Sequence, residues 1–436
     1  MKTDGSLIVA DDVAHVVHPL TPLGGEMAKS VTVIVGGDGI RVQDAAGRKY
    51  IDACSGLWNV NVGYGRAELA EAAAEQLRNL GYATLYINRG NAPAARLATK
   101  LAEITPGNIA RFFFSLGGSD ANDTAIKLAR FYNARRGHPE KYQIIARQEG
   151  YHGSTFGAMS ATGETEFWRD FGPLLPGFTH IEQPQPDDRD AAQALEAEIV
   201  RLGSETVAAF IAEPICVPAG VSIPPATYWP AIRDVCTRYD VLLIADEVIT
   251  GFGRTGRFFG LEHWDVVPDL LVVSKGLTSG YLPLGAVGMS SDFYEVISEP
   301  DRPFMHGFTT GGHPACCAVA LRNIEIIEDE LLIENARVVG DHLKVRLQAV
   351  CPDSSDVPSV RGLGMMAALD LAAEGKRAAR FEISGLGKRV ETELRERGVL
   401  VRAFGDTIAI APPLITTVTE IDEIVDTIRA VIGSIT

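Results

Sequence analysis

Val241-Leu-Leu-Ile-Ala-Asp246-Glu247-Val248 and Leu270-Leu-Val-Val-Ser274-Lys275-Gly276 decide the fold. Each is a short apolar run that closes on polar residues. Runs of this length without alternation read as strands buried on both faces, as in a parallel sheet covered by helices. In an open sheet of that kind, ligands lie beyond the carboxyl ends of the strands. The two runs therefore deliver an acid and a lysine side by side at one ligand edge. Enzymes that use pyridoxal phosphate need such a pair: a lysine to hold the aldehyde and an aspartate to keep the pyridine nitrogen protonated.

Working outward, residues 59–320 alternate helix-like and strand-like segments. Ala67–Leu80, Ala94–Ile104 and Asp120–Arg136 have helical periodicity, whereas Arg111–Ser115, Val207–Ala212 and Gly285–Met289 are apolar strand-like runs. Such alternation predicts an α/β domain with a mostly parallel sheet. Residues 1–58 carry turn signals at Gly37-Asp-Gly39 and Asp44-Ala-Ala-Gly47 around a short alternating stretch. Residues 321–436 mix helices (Ile324–Val350, Ile383–Arg397) with strands (Met365–Leu371, Thr407–Ala411). The two end segments are expected to supply the parts of a smaller α+β domain.

At 436 residues the chain exceeds the usual size of a single domain. A net charge of −16 disfavours nucleic acid or an anionic membrane as partner. No stretch approaches the roughly 20 uncharged apolar residues of a membrane span. The N-terminus lacks the basic region and long apolar core of a signal peptide. Cysteines 54, 216, 236, 316, 317 and 351 show neither CxxC nor metal-ligand spacing, so no metal is expected and a reducing, cytoplasmic setting is.

Further chemistry lies at other strand ends. Phe112–Phe114 is followed by Gly117-Gly118-Ser119-Asp120 and a helix, a combination that places free N–H groups and a helix dipole where an anion could sit. The same residues also serve as ordinary helix caps, and only their company favours a phosphate cup. That company is Tyr151-His152-Gly153, with an aromatic face for a planar ring, and Glu213-Pro214, which closes another apolar run.

Taken together, these segments resemble the class III aminotransferases, which are pyridoxal phosphate enzymes of fold type I. The matching stretches are Ser55-Gly-Leu-Trp58-Asn, Gly118-Ser-Asp-Ala-Asn-Asp-Thr-Ala-Ile-Lys127, Tyr151-His-Gly153, Glu213-Pro214, Ala245-Asp-Glu-Val-Ile-Thr-Gly-Phe-Gly-Arg-Thr-Gly256, Ser274-Lys-Gly-Leu277, His306-Gly-Phe-Thr309, Gly312-His-Pro314 and Ala411-Pro-Pro-Leu414. They keep family order across nearly the whole chain. The resemblance implies a seven-stranded sheet, with Lys275 as the Schiff-base lysine and Asp246 as partner of the ring nitrogen. It also implies that Tyr151 and Val248 lie on the two ring faces, that Gly118 and Ser119 hold the phosphate, and that Glu213 belongs to the cofactor site. Thr309 would reach the phosphate of a partner subunit, which implies a homodimer or a dimer of dimers. Trp58 and Tyr86, with Tyr151, match pocket aromatics of the ω-amine and ω-amino-acid transaminases. Arg402 matches the mobile arginine that binds a carboxylate. The implied substrates are a small amine and a keto acid, with (S)-amines preferred.

Two departures narrow this reading. The usual Asn-Ser-Gly-Ser-Glu is Leu116-Gly-Gly-Ser-Asp120 here, one phosphate hydroxyl fewer. Cys216 and Pro218 stand where ornithine- and GABA-type relatives carry Gln and Glu, which leaves Arg402 as carboxylate anchor and pyruvate or a similar keto acid as acceptor. A racemase or aminomutase on the same fold shares the cofactor chemistry. An NAD enzyme is suggested only by the GxGxxG spacing of Gly251–Gly256, with Asp269 downstream, and Pro268 interrupts the unit that such a motif requires.

Overall fold

Seven strands build the central sheet. In chain order they are β1 (Ile109–Ser115), β2 (Gln143–Arg147), β3 (Phe178–Ile181), β4 (Val207–Ala212), β5 (Leu242–Asp246), β6 (Leu270–Val273) and β7 (Gly285–Ser290). Their order in space is β1-β7-β6-β5-β4-β2-β3. Strand β7 is antiparallel to both of its neighbours, and the remaining pairs are parallel. Strands β1 to β6 therefore all point their carboxyl ends at one edge. This computed structural model describes residues 5–25, 29–185, 190, 192–350, 360–372 and 385–435.

Successive side chains of a strand face opposite sides of the sheet. Ile145, Phe210, Leu243 and Val273 enter one apolar core, and Ile144, Ile211, Ile244 and Val272 enter the other. Burial on both faces is why these runs do not alternate in hydropathy. Each such side chain contributes about 1.5–3 kcal/mol through its removal from water. The helix Gly118–Arg135 covers the second core with Ala121, Ala125, Leu128 and Ala129, one stripe at helical spacing. Its N-terminus is thereby aimed at the ligand edge.

The ends of the chain meet. Val399–Leu400 pairs in parallel with Ile51–Asp52, which extends the sheet formed by Ile34–Asp38, Arg41–Asp44 and Lys49–Asp52. A second four-stranded sheet contains Val360–Gly362, Ala367–Asp370, Thr407–Ile410 and, at its edge, Arg402–Phe404.

Most expected elements are present within a residue or two, among them Ala67–Asn79, Ala92–Ile104 and Gly118–Arg135. The helix read over 324–350 is instead two helices, Pro314–Asp329 and Leu332–Gln348, with Leu331 left-handed at φ 54° between them. The acidic run Glu328-Asp-Glu330 lies at a helix C-terminus, where the dipole disfavours negative charge. Strands β2 and β3 were not anticipated. Of the helix expected at Ile383–Arg397, Leu386–Glu396 is observed, and residues 383–384 lie outside the described residues.

One close approach joins the C-terminal segment to the large sheet. Gly364 has φ +58°, and a Cβ there would lie 2.3 Å from the Thr255 carbonyl carbon and 2.6 Å from the Gly256 nitrogen. We predict that Gly364→Ala destabilises the protein by about 2–4 kcal/mol through overpacking and backbone strain. Gly433→Ala, in a helix with open space around it, should hold or raise stability. Thermal unfolding midpoints of the two variants are expected to move in these different directions.

Candidate active site

Because β1 to β6 run the same way, the residues after their carboxyl ends share one edge. These are Gly118 and Ser119 after β1, Tyr151 after β2, Glu213 after β4, Asp246 at the tip of β5 and Lys275 after β6. Asp246 is only 3% exposed. An ionised carboxylate at such depth costs several kcal/mol unless it is paired and hydrogen-bonded. Its Oδ2 accepts from Asn122 Nδ2 at 2.7 Å and lies 2.8 Å from His152 Nδ1, and its Oδ1 accepts from the Val248 amide at 3.1 Å.

This network continues inward. His152 Nε2 lies 3.8 Å from Glu213 Oε2, and Arg147 Nη2 lies 3.5 Å from that same oxygen. Burial works against a charged imidazole, but Glu213 and then Asp246 outweigh it and raise His152 above its ordinary value. Burial likewise opposes an ionised Glu213, and His152 and Arg147 outweigh it to hold that carboxyl below the usual range. Arg147, Glu213, His152 and Asp246 thus form one chain in which basic and acidic side chains alternate. Glu213 Oε1 also accepts the Tyr151 amide at 2.9 Å and so fixes the start of the Tyr151 loop.

Lys275 has left-handed backbone at φ +44°, rare for a residue with a side chain and a mark of functional strain. Its Nζ lies 5.7 Å from the centre of the Trp58 ring and has no hydrogen bond or ion pair among the described residues. Burial lowers this amine to about 8, against the opposing pull of Asp246 and Glu213 and with help from Arg254. The neighbouring acid, Glu247, is turned away. It accepts from the Gly260 and Leu261 amides at 2.7 and 2.9 Å and from the Thr250 hydroxyl, and burial pushes it up to about 7.

Gly118 starts its helix, and a Cβ there would meet Val248 at 3.1 Å, so the cup and Val248 are contiguous. Ser119 Oγ accepts from the Ser154 amide at 3.1 Å. Gly153, at φ +141°, passes so close to Ser119 that a Cβ would lie 2.5 Å from its Oγ. Tyr151 remains partly exposed, its hydroxyl 3.1 Å from Ser154 Oγ.

Trp58 is buried and stacks on Phe404, with ring centres 5.6 Å apart and planes 16° apart. Arg402, two residues from Phe404 on the edge strand, is half-buried, and its side chain makes no hydrogen bond or ion pair among the described residues. Trp58 thus links Lys275 to Phe404, on whose strand Arg402 stands. Tyr86 and Thr309 form a separate, exposed group: the Tyr86 ring lies against Gly307, and Tyr82 Oη donates to the Thr309 carbonyl at 2.7 Å. Asn122, His152, Arg147 and Phe404 were not singled out from the sequence. Asn122 and His152 lay inside quoted motifs, but only the fold shows that both turn toward Asp246.

The set fits pyridoxal phosphate. It offers a buried lysine whose amine burial lowers, a buried carboxylate held by three donors, a helix N-terminus with a small-residue approach, and a partly exposed tyrosine ring. Among the described residues, no cluster of His, Cys, Asp or Glu could hold a metal ion.

Comparison with known proteins agrees with this geometry. The family model for class III aminotransferases matches residues 25–432. The chain is similar to a putrescine–pyruvate aminotransferase of Pseudomonas aeruginosa, 41% identical over 427 residues, covering 95% of this chain and 93% of that one. Among solved structures it is similar to a thermostable (S)-enantioselective ω-transaminase of Thermomicrobium roseum, with TM-score 0.94 and 43% identity over 99% of this chain and 98% of that one. A Pseudomonas jessenii ω-transaminase in complex with PMP gives TM-score 0.92 and 36% identity over 98% of each chain.

The lowered lysine has a measurable consequence, because only the neutral amine attacks an aldehyde. In the chain stripped of cofactor, the rate of pyridoxal phosphate capture, followed by absorbance, should climb about tenfold per pH unit and level off above about 8. A climb continuing to the ordinary lysine value of 10.5 would show that burial does not act on Lys275 as described.

Proposed function

The chain belongs to the class III aminotransferases, and from that premise we propose that it moves an amino group from a primary amine or ω-amino acid to pyruvate or a similar small keto acid. Pyridoxal phosphate is its cofactor and, when bound, supplies a carbonyl that takes up the amino group and a ring that accepts electrons as a proton leaves the donor carbon. In this reading Lys275 anchors the cofactor and, once free, moves that proton, a task suited to an amine that titrates near the working pH. Asp246, hydrogen-bonded by Asn122, His152 and the Val248 amide, would hold a proton at the ring nitrogen. Gly118, Ser119 and the helix dipole receive the phosphate. Tyr151 and Val248 bound the two faces of the ring, and Glu213 acts from behind by fixing the Tyr151 loop.

Arg402 carries the substrate reading. A half-buried guanidinium without an acid partner, beside an apolar wall of Trp58 and Phe404, suits a substrate carboxylate that must be bound and then released. Cys216 occupies a place where some relatives have a longer polar residue. Its thiol turns to Glu213 Oε1 and the Glu149 carbonyl, 3.6 Å from each, and the uncharged Pro218 stands where ornithine- and GABA-type relatives carry a glutamate, which leaves Arg402 without that counter-charge. An uncharged or cationic amine meets the aromatic wall instead. The names of similar proteins, a putrescine–pyruvate aminotransferase and an (S)-enantioselective ω-transaminase, support amine donors and a pyruvate-like acceptor.

We further propose a homodimer or a dimer of dimers. Thr309 is exposed, and apolar side chains stand open near it, with Ile87 90% and Met305 89% exposed. In such an assembly Thr309 and Tyr86 complete the partner's site. A cytoplasmic setting suits the five described cysteines, all buried. No described helix is long and apolar enough to cross a membrane.

Stopped-flow absorbance tests the two halves of the reaction separately. Amine alone should convert the bound cofactor to its amino form, and pyruvate alone should reverse the change. Lys275→Ala should abolish turnover in both directions. Arg402→Ala should slow the pyruvate half about 100-fold, as expected for loss of a charge-assisted bidentate pair. It should slow the half-reaction with an uncharged-tail amine less than about threefold. Equal losses in the two halves would overturn the assignment of Arg402.

A further inference from the structure

Gly251-Phe-Gly-Arg-Thr-Gly256 has the spacing of a dinucleotide loop, yet all six residues are buried and a 3-10 turn at Gly260–Trp264 follows. What remains is Arg254. Its side chain is wholly buried, and among the described residues no carboxylate lies within hydrogen-bonding or ion-pair distance of it. The guanidinium donates to the Met365 carbonyl at 3.1 Å, Ser55 Oγ at 3.2 Å, Asn61 Oδ1 at 2.8 Å and the Pro412 carbonyl. A buried cation without an anion is costly, so a structure that retains one supplies oxygens from several directions, as an arginine fork can use.

Each of those oxygens belongs to a part of the site. Ser55, left-handed at φ +49°, opens the turn that carries Trp58 and donates its own hydroxyl to the Ala411 carbonyl at 2.6 Å. Asn61 Nδ2 donates to the Phe252 carbonyl at 2.9 Å. The same Nδ2 sits against Gly276, where a Cβ would come within 2.5 Å of it, and Gly276 adjoins Lys275. Met365 and Pro412 belong to the C-terminal segment that also holds Arg402, and the Arg254 carbonyl accepts the Met365 amide at 3.0 Å.

We propose that Arg254 is a positioning residue for amino transfer: its buried fork ties the Trp58 turn, the asparagine that backs the Lys275 turn and the C-terminal segment that holds Arg402 into one unit. Burial is the largest influence on Lys275. The charged groups around the lysine are Asp246 and Glu213, from the ends of β5 and β4, which favour its ammonium, and Arg254, which opposes it. Arg254 itself is faced by Cys54 and Asp52 from the N-terminal segment. Only the donor-binding arm of this proposal rests on the reading of the chain as an amine transaminase.

The test compares R254Q, R254K and S55A as full-length protein. The first readout is the pH midpoint of pyridoxal phosphate capture by the cofactor-stripped chain. R254Q should raise that midpoint by about half a pH unit or more, because removing a nearby cation favours the ammonium. R254K keeps the charge and should stay within about 0.2 unit of the parent. The second readout is steady-state turnover, where R254K and S55A should raise KM for the amine several-fold with little change in kcat. A folded R254Q with an unmoved midpoint would overturn Arg254's opposition to the Lys275 ammonium, as would a shift in R254K. Should R254Q fail to fold, R254K and S55A still decide, and an unchanged amine KM in both would overturn the positioning role. If the parent turns over no amine at all, the transaminase reading fails, while the capture midpoints continue to test Arg254.

Discussion

A carboxylate buried as deeply as Asp246 stays ionised only while donors surround it, and the sheet edge is organised around that requirement. Asn122 and the Val248 amide supply two donors, and His152 supplies a third. His152 can do so as a cation because Glu213 lies on its other side, and Glu213 in turn is held by Arg147. Removing a single partner from such a chain leaves an uncompensated buried charge, a loss of about 3–5 kcal/mol. The arrangement is therefore all or nothing. It also explains why strand β5 ends where it does, with one acid facing the site and the next, Glu247, capping the Gly260 turn.

The second constraint is that a parallel sheet exposes all its carboxyl ends together. Side chains more than a hundred residues apart become neighbours without any motif linking them. The C-terminal segment reaches the same edge by another route. It pairs with the N-terminal strands at Val399–Leu400 and locks onto the loop at Arg254 through the close contact at Gly364. Trp58 and Arg402 come from opposite ends of the chain, and these contacts bring both end segments to the edge where Trp58 meets Lys275.

Much of this was legible beforehand. The unbroken apolar runs identified buried strands because both faces of the sheet are covered. The glycines at 117 and 118 marked a helix start. The helix break at Leu331 was missed because Ile324–Val350 keeps its apolar periodicity through the acidic run, and periodicity does not register dipole effects. Glu213 closes an apolar run and so marks the sheet edge, but only the fold shows that its carboxylate takes the Tyr151 amide. His152 stood beside Tyr151 in plain view, yet nothing in a one-dimensional string says which of two adjacent side chains turns toward the sheet.

The α/β class, the acid and lysine at neighbouring strand ends, and the family are readable from the chain alone, because strand burial and turn chemistry are local properties written in short runs. Only the tertiary structure decided which groups share charge. The partners of Asp246, the lowered lysine and the unpaired Arg254 depend on distances and burial among residues far apart in the chain. Coulombic and desolvation energies are functions of those distances, and no spacing in the sequence encodes them.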